Sequence, residues 1–181
     1  MRKKNITSEM MMGYIAESLL VLMRTKRYED ISIGEIAEKA GVNRSTYYRH
    51  FKTKDDIVRW YLDGIMQEYQ DEFAKTAQKG ISDCLLVMFR TFYAHKDDLV
   101  RIHKAGLSSC LLAVLSDRFQ FARIAESTDT AEQFRLAYHL GGIYNNMLLW
   151  FSHGLLETPE EMTQIALSLH LDEARTLFAR S

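Results

Sequence analysis

The chain has 181 residues, 47% hydrophobic and 26% charged, with one proline and two cysteines. This is globular usage, and it excludes a largely disordered chain, a collagen-like or PxxP segment and a disulfide framework. The net charge of -1 conceals a split: residues 1–60 hold 12 Lys and Arg against 8 Asp and Glu, and residues 61–181 hold 11 against 16. A basic head on an acidic body implies that only the head meets a polyanion.

Helical periodicity runs through nearly the whole chain, with no strand alternation bounded by turns. Met1-Arg-Lys-Lys-Asn lacks the apolar stretch of a signal peptide. A first helix is expected over residues 8–25, with Met12, Ile15, Leu19 and Leu22 on one stripe and Thr7 or Ser8 as its cap. Ser32-Ile-Gly-Glu35 has the form of a capping box and opens a second helix of about two turns. Ile36, Ala37 and Ala40 form its inner face, and Gly41 is the left-handed stop. Asn43 caps a third helix carrying Tyr47, Tyr48 and Phe51, and Thr53-Lys-Asp-Asp56 starts a long fourth. Ile57, Tyr61, Ile65, Tyr69 and Phe73 make one ridge of that helix, and Gly80 breaks it.

A fifth helix carries Ile81, Leu85, Met88, Phe89 and Phe92, and His95-Lys-Asp-Asp98 caps a sixth. The seventh is expected over residues 111–121, followed by a polar joint at Ser127-Thr-Asp-Thr130. Residues 131–152 read as an eighth helix, apolar on most of its surface. Its apolar run from Phe134 to Phe151 is interrupted by Arg135, His139, Asn145 and Asn146, so a buried helix is expected instead of the ~20-residue apolar span a membrane needs. Thr158-Pro-Glu-Glu161 is the clearest start signal and opens the last helix.

The block from Ile31 to Ile57 carries the functional signal. Two short amphipathic helices joined by Lys39-Ala-Gly-Val-Asn43 have the form of a helix-turn-helix. Small Ala37 and Ala40 allow close approach, while Arg44, Ser45, Thr46, Tyr47 and Arg49 project outward. A helix of this kind fits the major groove, its N-terminal residues at the base edges.

Ile-Ala-x-x-Ala-Gly-Val at 36–42, then Tyr48-x-x-Phe51 and Lys54, strongly resembles the DNA-binding domain of the TetR family of transcriptional regulators. Leu140-Gly-Gly-Ile-Tyr, Leu149-Trp-Phe, Gly154 and Thr158-Pro-Glu-Glu resemble, more weakly, the C-terminal domain of the branch that includes dihydroxyacetone kinase regulator-like proteins. The resemblance implies an all-α chain of about nine helices: a three-helix helix-turn-helix domain over 1–53 and a helical ligand-binding and dimerisation bundle over 54–181.

It further implies a homodimer on a palindromic double-stranded DNA operator, a repressor released by an unidentified small-molecule effector, while the interrupted apolar run reads as that of a cytoplasmic chain away from membrane. By the same resemblance, Arg44, Ser45, Thr46 and Tyr47 face the groove. Tyr48, His50 and Lys54 meet phosphates, as does Ser32, which serves equally as a plain cap. Effector candidates in the body are Phe89, Tyr93, His103, Tyr138 and Asn145. Apolar residues in excess of one bundle's needs, Leu148, Phe151, Leu155, Ile165, Leu169 and Leu171, are the expected dimer interface. Gly141-Gly142 inside the eighth helix suggests close helix approach or a kink.

The alternatives are an activator or co-regulator of the same fold acting through a protein partner, and a helical enzyme or metal protein. The chain has no GxSxG, P-loop, HExxH or dinucleotide-binding glycines. His139 and His153 lie about 21 Å apart on a straight helix, too far to share a metal. Cys84 and Cys110 read as buried reduced thiols. No catalytic residue, metal or cofactor is expected.

Overall fold

Local capping sets where the helices begin. In the computed structural model, which describes residues 2–77, 80–118 and 129–176, Ser32 Oγ accepts the Glu35 N–H at 3.2 Å and the Glu35 carboxylate accepts the Ser32 N–H at 2.9 Å. This capping box opens α2 (Ile33–Lys39). Gly41 then turns at φ 67°, a conformation a side chain resists, and Asn43 Oδ1 accepts the Thr46 N–H at 2.7 Å to start α3 (Arg44–His50). Thr53 caps α4 (Lys54–Lys75) through the Asp56 N–H at 3.2 Å, while the Asp56 carboxylate accepts the Thr53 N–H at 2.8 Å.

Before these lie α1 (Arg2–Leu22) and a 3₁₀ turn at Tyr28–Asp30. After them come α5 (Ile81–Ala94), α6 (Lys96–Lys104), α7 (Ser108–Arg118), α8 (Thr130–Ser152) and α9 (Pro159–Thr176). No strand occurs among the described residues. The architecture is all-α, a helix-turn-helix head followed by a helical body.

The central helix is α4. It packs on α1 on the head side and on α5 and α7 on the body side; α5 also packs on α9, and α6 and α7 on α8. One hydrophobic cluster therefore runs from Ile15 and Leu19 through Tyr47, Ile57 and Leu62 to Phe92, Leu115 and Trp150. The expected division at residue 53 falls just before the helix that both halves share.

Helix ends differ from expectation in places. The first helix runs from Arg2 to Leu22, so its expected start at residue 8 falls inside it and it closes before residue 25. The seventh helix begins at Ser108, and residues 119–121 of its expected span lie outside the described residues, as do Ser127 and Thr128 of the polar joint. Asp129 of that joint accepts the Ala131 N–H at 2.9 Å.

The eighth helix departs from the expectation of burial. Leu140, Met147, Trp150 and Phe151 are buried, whereas Phe134 is 73% exposed and Tyr138 and Leu149 are each 57% exposed. One side packs on α6 and α7 and the other faces outward. Apart from their chain neighbours and the backbone of their own helix, nothing among the described residues comes within 4 Å of a Cβ built at Gly141 or Gly142, so close approach of another element within the chain does not account for these glycines.

Two expected interface residues belong to the core instead. Phe151 stacks on Phe92 at 6.4 Å, and Leu155 is folded inward at φ 53° where the chain turns into α9. The Trp150 indole N–H pins that turn by donating to the Glu157 carbonyl at 3.0 Å. Leu148 is half-buried, Ile165 and Leu169 are exposed, and the Leu171 side chain lies outside those described.

Among the described residues no single helix is long and apolar enough to cross a membrane.

Candidate nucleic-acid interface

The geometry of α3 follows from its periodicity. Tyr47 and Phe51, four residues apart, turn inward; Arg44 and Tyr48, also four apart, turn outward, with Ser45 and Arg49 beside them. Tyr48 is 56% exposed and stands edge-on to Tyr47, ring centroids 5.3 Å apart. The Arg44 guanidinium lies across α2 at Gly34, where an added Cβ would sit 2.7 Å from Nη2. The Ser45 hydroxyl donates to Asn43 Oδ1 at 2.7 Å and keeps its lone pairs for a further donor. Thr46 and His50 are half-buried at the margins of this face.

One expected DNA contact, Tyr47, is corrected by its burial, and two others, Ser32 and Lys54, have partners within the chain. Tyr47 is completely buried, its ring packed near Phe51, and its hydroxyl has no hydrogen-bond partner among the described residues. Burial pushes that phenol up to about 12, with Tyr48 and Asp56 adding to the shift. Ser32 spends both donors on Glu35: its N–H at 2.9 Å and its O–H at 2.8 Å both reach Oε2. Lys54 turns its ammonium inward, donating to the Tyr28 carbonyl at 2.6 Å and the Ile31 carbonyl at 2.7 Å.

Arg49, expected outward, and Lys52 are both exposed beyond Tyr48; Lys52 is an addition to the expected site, and its charge beside the helix end is the signal that points to it. Around α2, Lys26 pairs with Glu35, and this pairing together with the Ser32 N–H and O–H holds the Glu35 carboxyl at about 2.

The effector candidates separate into two groups. Phe89 is buried edge-on against Trp150 at 5.5 Å, Tyr93 stacks on the same indole at 6.2 Å, and His103 meets Phe151 at 6.2 Å. His103 also hydrogen-bonds Ser108 Oγ at 2.9 Å. Tyr138 and Asn145 lie on the outward side of α8, where Asn145 Nδ2 donates to the Gly141 carbonyl at 2.8 Å.

A short capped helix, braced by a second across a glycine turn and exposing arginine, serine and tyrosine on one face, defines a helix-turn-helix DNA-binding protein. Residues 17–59 match the TetR_N family model, described as bacterial regulatory proteins of the tetR family. Over these residues the chain carries the DNA-binding domain of the TetR family of transcriptional regulators.

Similarity to curated relatives is modest. The HTH-type transcriptional regulator EthR of Mycobacterium tuberculosis is 25% identical over 167 residues, 87% of this chain and 69% of that one. For EthR of Mycolicibacterium smegmatis the figures are 25% over 81 residues, 41% of this chain and only 37% of that protein. The HTH-type dhaKLM operon transcriptional activator DhaS of Lactococcus lactis is 28% identical over 68 residues, 38% of this chain and 34% of that one. A solved structure of the dihydroxyacetone kinase operon activator DhaS shares the fold, with a TM-score of 0.58 at 18% identity over 90% of this chain and 95% of that one. The curated relatives are transcriptional regulators by name.

Proposed function

We propose that the chain is a homodimeric regulator that reads a palindromic DNA operator through α3. The observation that carries this reading is the exposed face of Arg44, Ser45, Tyr48 and Arg49 on a rigidly capped helix. Arg44 offers a fork to a guanine edge, Thr46 a methyl to thymine, and Tyr48 and His50 donors to phosphate. One such helix reads only a few base pairs, so two copies on a two-fold axis are needed, with half-sites about one helical turn or a multiple apart.

The second copy is proposed to pack on the outward side of α8 and α9. Phe134, Tyr138, Gly142, Asn145 and Leu149 recur there at three- and four-residue steps, all exposed, beside Ile165 and Leu169. A glycine with open space over it lets a neighbouring helix approach closely.

Control by a small molecule belongs to the same proposal. Tyr93 and His103, half-buried beside Trp150 and Phe151, supply polar groups on an aromatic wall. A ligand there changes operator affinity only by binding one arrangement of the heads better than another. Because α4 touches head and body alike, its position carries the difference. A repressor is the primary reading; the name of DhaS, an activator, favours the opposite sign as a second.

Selection of binding sites from random duplex DNA at one fixed salt concentration tests the reading. A recovered palindrome supports it, and no enriched sequence overturns it. Transcription from a promoter carrying the recovered site, with and without protein, separates repressor from activator.

A further inference from the structure

Lys54 is the first residue of α4, a position where the helix dipole disfavours a cation. Its side chain leaves the helix end and enters the turn between α1 and α2. There Nζ donates to the carbonyls of Tyr28 at 2.6 Å and Ile31 at 2.7 Å, with the Glu29 carbonyl at 3.5 Å. It also stands 4.4 Å from the centroid of the Tyr28 ring. Three ammonium donors thus face three carbonyls of one turn, an arrangement that suits a compact cation and not a planar guanidinium.

The turn is gripped a second time. The Tyr28 hydroxyl donates to Asp55 Oδ1 at 2.5 Å, and Asp55 follows Lys54 in α4. The last residue of the gripped stretch, Ile31, is buried and immediately precedes Ser32, the cap of α2. The start of α4 is therefore fastened to the start of the helix-turn-helix. For Lys54 to reach a phosphate, it would have to abandon the carbonyl of buried Ile31.

We propose that Lys54 is a positioning residue: its ammonium, with Tyr28 and Asp55, fixes the orientation of α2 and α3 on α4 and does not neutralise a DNA phosphate. This rests on the reading of α3 as the DNA-reading helix. It gives movements of α4 a direct grip on the recognition helix.

The test compares wild type, Lys54→Met and Lys54→Arg on the recovered operator and on a scrambled duplex, across a salt series. Methionine keeps a stem over Tyr28 and loses the ammonium; arginine keeps the charge. The expected result for both variants is an operator affinity lower by about tenfold, the scale of lost charged hydrogen bonds. Affinity for the scrambled duplex and the salt slopes stay unchanged. Equal losses on both duplexes, with a slope smaller by about 0.9 per protomer (about 1.8 for the dimer) and rescue by arginine, would mean a phosphate contact and overturn the proposal. A lower melting temperature with the operator preference intact would make Lys54 merely structural, and also overturn it.

A DNA-free arm uses the lysine side-chain ¹⁵N spectrum of the free protein. A clasped ammonium exchanges slowly and gives a signal that Lys54→Met removes; absence of that signal in wild type overturns the clasp. If wild type prefers no sequence, the proposed function fails, and this arm still decides the clasp.

Discussion

Tyr47 and Tyr48 are neighbours in the chain with opposite surroundings. Tyr47 carries a buried hydroxyl without a partner among the described residues, a group that costs free energy to keep from water. Tyr47→Phe should leave operator affinity unchanged and raise stability by about 1 kcal/mol or leave it level, measured by urea denaturation. Tyr48→Phe should leave stability unchanged and weaken operator binding by about 1 kcal/mol per half-site, roughly fivefold for each, in a titration at fixed salt. Equal losses of affinity from the two would mean that α3 presents a different face. The distinction was legible in part: Phe51, four residues after Tyr47, marks the inward side, and Arg44, four before Tyr48, the outward one. The inward turn of Lys54 was not, because its partners are backbone carbonyls more than twenty residues earlier, which leave no trace in residue type.

At the scale of elements, the caps were the readable features. Ser32, Asn43, Thr53 and Thr158 each receive an N–H from three residues ahead, and a contact that short depends on little else. The cap of α2 has a pH signature. Lys26 and Ser32 hold the Glu35 carboxyl at about 2, against roughly 4.3 in an unfolded chain. Because the folded value is the lower one, the contribution is complete above the unfolded value and is lost as pH falls toward 2. The stability gap between wild type and Glu35→Gln should therefore be constant from neutral pH to about 5 and close between about 4.3 and 2. Chemical denaturation of both proteins over that series checks it; a gap that persists at pH 2 would remove Glu35 ionisation as its source.

Another link between elements was invisible in sequence. Arg118 of α7 donates to both carboxylate oxygens of Asp63, at 2.5 and 2.6 Å, and to Gln67 and Gln70 at 3.0 Å each. These pairs span about fifty residues, and only the packing of α7 on α4 brings them together. Arg118→Met should cost on the order of 1 kcal/mol in urea denaturation, a partly exposed forked pair being worth that much after screening.

At the scale of the molecule, the apolar inventory of α8 and α9 overstates what one chain buries. Composition cannot say which side of α8 is core, because apolar residues occupy most of its turns and the neighbours decide. Phe151 and Leu155 are held by Phe92 and by the pinned turn into α9, whereas Leu149 and Ile165 stand at 57% and 46% exposure. Charging the outward pair and truncating the inward one should therefore do different things. Leu149→Glu with Ile165→Glu should keep the fold and its unfolding transition, yet sediment as a monomer at micromolar concentration. Each head would then bind a half-site alone, and the preference for the full palindrome should collapse. Phe151→Ala should instead destabilise the protein by about 3–5 kcal/mol, as a large cavity does. Its dimerisation would fail only as the fold fails. If the doubly charged variant still sediments as a dimer, the two copies meet elsewhere, and the outward face of α8 must be assigned another role.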